Sequence, residues 1–124
     1  MSFNLAFALI GNIANAQDID AVMRNASDRF NTQMPQRVDA ITTISRVQYI
    51  SDSKVFAYIY NIDSDLGYVK SQKAELQKMM IIQNCTSPGP KGMLNMGITI
   101  KHRYYVGYAF ATEVSVVRAN CTKY

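Results

Sequence analysis

Apolar positions recur along this chain in two rhythms, one of three to four residues and one of two. From Asp18 to about Gln33, Ile19, Val22, Met23, Ala26 and Phe30 share one side, with Asp18, Asp20, Arg24, Asp28 and Arg29 opposite. That periodicity predicts an amphipathic helix. The early aspartates suit the positive end of its dipole. Met34-Pro35 ends it, because a residue before proline is pushed out of the helical region. Residues 38–50 are then rich in β-branched side chains, and residues 54–62 alternate Phe56, Tyr58, Tyr60, Ile62 against Val55, Ala57, Ile59. With Ser51-Asp52-Ser53 as the turn, these two runs predict an antiparallel hairpin. The second run is apolar on both faces, so it is expected to be central and covered on both sides, in part by a partner if not by the domain.

Asp63-Ser64-Asp65-Leu66-Gly67 breaks the strand and offers N-caps for a helix over about 65–83. Leu66, Val69, Leu76, Met79, Met80 and Ile82 form its apolar stripe, and Lys70, Lys73, Glu75 and Lys78 face water. A Pro/Gly turn at Ser87-Pro88-Gly89-Pro90 follows, then a short helical piece ending near Gly97 and two strands over 98–104 and 108–116. Helix-strand-strand thus occurs twice. The expected product is an α+β domain: a four-stranded antiparallel sheet with helices on one face. Residues 18–124 form that single domain, and residues 1–17 precede it.

Residues 3–16 carry no charge and end in Ala14-Asn15-Ala16-Gln17, a small-x-small pattern. They read as the latter part of a secretory signal peptide without its basic start. They are short for a membrane span. The alternative is an apolar helix that packs on the domain, a partner or a membrane surface. The remaining composition is that of a globular protein, with 48% hydrophobic and 18% charged residues. The net charge of +4 comes from thirteen Lys and Arg scattered singly. No basic run tracks a phosphate backbone, so nucleic acid is not an expected partner.

The two cysteines narrow the compartment. Cys85 falls at the end of the second long helix and Cys121 just after the last strand, which predicts a disulfide. Closing that loop stabilises the fold by roughly 4 kcal/mol in the loop-entropy model. A disulfide in turn places the protein in an oxidising compartment, periplasmic or secreted.

Taken in order, Met34-Pro35, Val38-Asp39-Ala40-Ile41-Thr42, Tyr58-Ile59-Tyr60, Cys85, Leu94, Gly97 and Cys121 form a spaced pattern over roughly residues 30 to 121. The pattern resembles a group of small exported bacterial proteins, mostly uncharacterised, that share a V-D-x-x-T step, a Y-x-Y strand and two late cysteines. The resemblance implies a periplasmic or envelope location and transfers no catalytic residues. The chain departs from the group in its apolar, uncharged start and in the few acidic residues near its last strand.

Catalytic chemistry finds little purchase. His102 is the only histidine, on the strand face shared by Ile98, Ile100 and Tyr104, and is expected to be half-buried. One His and two distant cysteines fall short of a transition-metal site. Asp63-x-Asp65-x-Gly67 lacks the glutamate of a calcium loop, because position 74 is Ala. It reads instead as a capped turn. No catalytic residue, metal ligand or cofactor is expected. The binding candidates are Lys101, Arg103, Tyr105 and Tyr108, near a hairpin tip at Val106-Gly107, since Tyr and Arg suit contact surfaces. Strand parity puts Tyr105 with Thr99, Lys101 and Arg103 on the wetter face. The expected function is non-enzymatic: an exported protein-binding domain of inhibitor or immunity type acting on an envelope partner. The alternative is a structural subunit of an envelope or secretion-system assembly. Self-association is compatible with both.

Overall fold

The computed structural model describes residues 16–124. The apolar segment at 3–15, with its leader or packing reading, lies outside the described residues. The first helix, α1 (Ala16–Asn31), has the expected face: Met23, Ala26 and Phe30 are buried, and Ile19 and Val22 pack beside them. A turn follows, and the Met34-Pro35 peptide is cis. Five strands come next in chain order, interrupted by helices: β1 (Gln36–Arg37), β2 (Thr42–Ile50), β3 (Val55–Ile62), β4 (Thr99–Val106) and β5 (Ala109–Val116). Between β3 and β4 stand α2 (Leu66–Ser71), α3 (Lys73–Thr86) and α4 (Pro88–Asn95). A 3₁₀ turn over Arg118–Cys121 closes the chain.

The sheet corrects the sequence expectation. It has five strands in the order β1-β2-β3-β4-β5, and it is mixed: β3 and β4 run parallel, with Val55 opposite Thr99 and Tyr60 opposite Tyr104. The other pairs are antiparallel. The parallel pair arises because the chain leaving β3 builds three helices over one face before it returns. A crossover of that length re-enters the sheet beside its origin in the same direction. Two hairpins are therefore joined side by side through a helical layer. The additional strand is β1, just before the run at 38–50, and that run itself starts as a strand only at Thr42. Residues 38–41 form a loop instead, closed by Asp39 Oδ1 accepting from Ile41 N (3.0 Å) and Thr42 N (2.8 Å).

Two helical expectations also shift. The helix over 65–83 is two helices meeting at Gln72. Asp65 caps the first of them by accepting from the Tyr68 amide at 2.9 Å, so the aspartate cluster is a capped turn. The Pro/Gly turn is the start of α4, with Ser87 as N-cap and proline in the first turn, where the missing amide costs nothing.

The described helices α1–α4 cover one face of the sheet. Phe30, Val69, Met80, Met93 and Leu94 meet Phe56, Tyr58, Tyr60, Ile100, Tyr104, Val114 and Val116 in one continuous core. The aromatic line along β3 is central, as expected from its two apolar faces: Val55 through Tyr60 are all buried. On the opposite face Val55, Ala57 and Ile59 form a small cluster with Tyr105 packed against it. The predicted disulfide is present between Cys85 and Cys121, with Cα atoms 5.3 Å apart, and it ties α3 to the chain's last turn.

Side-chain amides blunt the sheet's edges. Asn31 donates to Val47 O (2.9 Å) and accepts from Val47 N (2.8 Å), standing in for a strand where β1 has ended. Gln77 of α3 donates to Ser115 O of β5 at 2.7 Å. Both contacts satisfy edge groups that would otherwise template pairing with another chain.

Candidate functional site

The parity argument for β4 places its side chains correctly. Ile100, His102 and Tyr104 are buried beneath the helices, while Thr99, Lys101, Arg103 and Tyr105 lie on the opposite, wetter face. His102 is more buried than expected, at 2% exposure. Asn84 Oδ1, 2.7 Å from its Nε2, is a carbonyl that can only accept, so Nε2 carries the proton. Nδ1 then accepts from the Tyr60 hydroxyl at 2.7 Å. Both ring nitrogens are thus spent in a closed buried chain, Tyr60 to His102 to Asn84. Burial drives the His102 pKa down to about 3, so the ring is neutral. The Tyr58 ring stacks on it at 5.2 Å and the Tyr104 ring stacks on Tyr60 at 4.7 Å. Burial raises the phenol pKa values of Tyr58, Tyr60 and Tyr104. A neutral, doubly bonded imidazole among protonated phenols is a structural core and lacks a free base.

This aromatic row is the floor of a cavity of about 590 Å³. Its walls come from three separate segments: the 38–41 loop with Thr42 and Ile44 of β2, the end of β3 at Ile62, and the inner sides of α2 and α3. Val69, Leu76 and Met80 line it from the helices. Its mouth is bordered by apolar side chains that stand in solvent: Val38 (40% exposed), Ile41 (47%), Tyr68 (57%) and Met79 (41%). Among the described residues, the only charged side chains along the lining are Asp39 and Glu75. On the floor, Tyr104 Oη is buried and has no hydrogen-bond partner among the described residues. Volume and lining are those of a site for an apolar group or helix face. Among the described residues no three His, Cys, Asp or Glu are grouped to hold a metal, and no helix is long and apolar enough to cross a membrane.

The residues singled out from sequence as contact candidates lie elsewhere, on the open face of the sheet and at the β4–β5 turn. Lys101 and Arg103 both approach Glu113 on β5, at 3.6 and 2.9 Å. The Arg103 guanidinium also sits 5.6 Å over the Phe110 ring, and Tyr105 meets Phe110 edge-on. Tyr108 follows Gly107, whose positive φ of 59° makes the tight turn, and stands wholly in solvent. Lys101, Arg103 and Tyr105 thus share one face along β4, and Tyr108, in the turn beyond it, is the most exposed of the four. The cavity was not foreseen. Its lining joins the helical stripe (Val69, Leu76, Met79, Met80) to Val38 and Ile41, and only the turn at Asp39 brings those together. The signal available in sequence was a surplus of apolar residues: Ile41 and Met79 matched their neighbours' periodicity although neither is covered.

No family model matches the sequence, and a sequence search of curated proteins finds no match either. Solved structures do share the fold. A candidate secreted protein of Pseudomonas aeruginosa superposes with a TM-score of 0.74 over 88% of this chain and 99% of its own, at 8% identity. The type 2 secretion system pilotin EpsS of Vibrio vulnificus gives 0.72 over 86% of this chain and 94% of its own, at 13% identity. The type II secretion system pilotin AspS of Vibrio cholerae gives 0.67 over the same shares, 86% and 94%, at 14% identity. At these identities the likeness is one of fold.

Proposed function

We propose that this chain is a non-enzymatic component of a bacterial secretion assembly in the cell envelope, and that its cavity receives an apolar helical segment of a protein partner. The observation that carries the reading is the apolar mouth. Val38, Ile41, Tyr68 and Met79 stand in solvent around an apolar cavity, where a domain burying its core for itself alone would place polar side chains. A helix laid into such a groove anchors it through side chains spaced three and four apart. Two pilotins among the structures of the same fold support the assembly context, and the disulfide supports an oxidising compartment. The closed Tyr60–His102–Asn84 chain supports a passive role, since no side chain on the floor is left with a base to offer.

A second reading, in which the β4–β5 turn caps a partner's active site in the manner of an inhibitor, is favoured by Tyr108 at the tip. The two readings separate by mutation. Ile41→Asp and Met79→Asp alter exposed side chains at the mouth and leave the core intact. The assembly reading expects both to abolish retention of an envelope secretion component on the immobilised protein, with Tm unchanged, and Tyr108→Ala to leave retention intact. Retention lost through Tyr108→Ala alone would overturn the cavity in favour of the hairpin tip.

A further inference from the structure

The cavity's charge is opposite in sign to the protein's. Lys and Arg outnumber Asp and Glu thirteen to nine in the chain, yet among the described residues Asp39 and Glu75 are the only charged side chains along the lining. Both line the cavity, one from the loop after β1 and the other from the first turn of α3. Both are exposed. Asp39 is held ionised by the amides of Ile41 and Thr42, with Arg37 nearby. The Arg37 guanidinium donates to Ala40 O at 2.9 Å. Glu75 makes no ion pair among the described residues. The cavity also holds an unanswered group of its own, since the buried Tyr104 hydroxyl on the floor has no partner among the described residues. Together these features call for an occupant that brings polar and positive groups to an otherwise apolar contact.

Resting on the docking reading above, we infer that the partner segment is an amphipathic helix whose apolar face enters the cavity and whose flanks carry Lys or Arg, read by Glu75 and Asp39. Glu75 has the larger share, because Arg37 already offsets part of the Asp39 charge. Each exposed pair is expected to change affinity by about two- to fivefold and to weaken with salt.

The test uses two helical peptides with the same Leu/Ala face and one Trp each, one flanked by Lys and the other by Glu. The protein has no Trp, so peptide fluorescence reports binding directly. The Lys-flanked peptide is expected to bind the full chain about four- to twentyfold more tightly at low salt. Glu75→Gln narrows that gap more than Asp39→Asn does, and the double variant closes it. Asn at position 39 retains the oxygen that closes the loop. The net charge of +4 by itself favours the Glu-flanked peptide, so non-specific attraction cannot produce the expected order. Equal binding of the two peptides, or a gap that survives the double variant, overturns the inference while leaving the docking reading in place. Binding of neither peptide, or binding that Ile41→Asp and Met79→Asp leave unchanged, overturns both.

Discussion

The buried histidine makes the fold sensitive to mild acid. In the unfolded chain His102 titrates near 6.5, whereas in the folded protein burial depresses its pKa to about 3. Between those values the unfolded state binds a proton that the native state refuses, so stability falls as pH falls. Above pH 6.5 both states are neutral and the effect vanishes; below pH 3 both are charged and the loss is complete. Each pH unit inside the window is worth about 1.4 kcal/mol, so lowering pH from 7 to 5 costs roughly 2 kcal/mol. The geometry explains the refusal: Nδ1 accepts from Tyr60, and a second ring proton would turn that contact against a hydroxyl already donating. Two carboxylates whose pKa values the fold lowers act at lower pH. Hydrogen bonds to Lys54 and Tyr49 lower the Asp20 pKa below 3.8, and the Ile41 amide lowers that of Asp39. Their stabilisation is present above 3.8 and is lost only as pH falls below it. Urea unfolding monitored by circular dichroism at pH 7, 6 and 5 reads the histidine above the range in which Asp20 and Asp39 act. His102→Gln is expected to be less stable at pH 7 and nearly flat from 7 to 5. A flat wild-type profile, or an equal slope in the variant, would refute a buried neutral imidazole.

Other expectations follow from the same contacts. Reducing the disulfide, or replacing Cys85 and Cys121 by Ser, should cost roughly 4 kcal/mol in urea unfolding; an unchanged midpoint with reductant would count against the staple's role. Tyr60→Phe leaves His102 Nδ1 without its donor and should cost about 1–3 kcal/mol, whereas Tyr104→Phe removes an unpartnered hydroxyl and should be neutral or stabilising. Equal losses in the two variants would mean that the floor is wired differently. Arg103→Ala gives up an exposed pair with Glu113 and should cost less than about 1 kcal/mol. Tyr105→Ala uncovers Val55, Ala57 and Ile59 and should cost more, a ranking that thermal melts of the two variants can reverse or uphold.

Much of the fold was legible because periodicity reports which side chains are covered. The alternation Ile100, His102, Tyr104 against Lys101, Arg103, Tyr105 named both faces of β4, and the double apolar character of 55–62 named the central strand. Periodicity does not report which strand lies alongside or in what direction, so the parallel pairing of β3 with β4 stayed hidden behind two plausible hairpins. Nor does it mark a break that leaves the stripe continuous: Leu66, Val69, Leu76 and Met80 pack on the same core on either side of Gln72. β1, at two residues, is too short to alternate. The cavity is legible least of all. Its lining is drawn from residues scattered between Val38 and Tyr104, and Asn84, which fixes the histidine, looks like any polar residue near a helix end.

The most direct test of the account is methyl and amide NMR of the labelled protein during titration with the Lys-flanked apolar peptide. The account predicts that shifts cluster on Ile41, Ile44, Ile62, Val69, Leu76 and Met79, the walls of the cavity. Shifts confined to Tyr105, Tyr108 and Phe110, on the open face of the sheet and at the β4–β5 turn, with the cavity methyls unmoved, would contradict it.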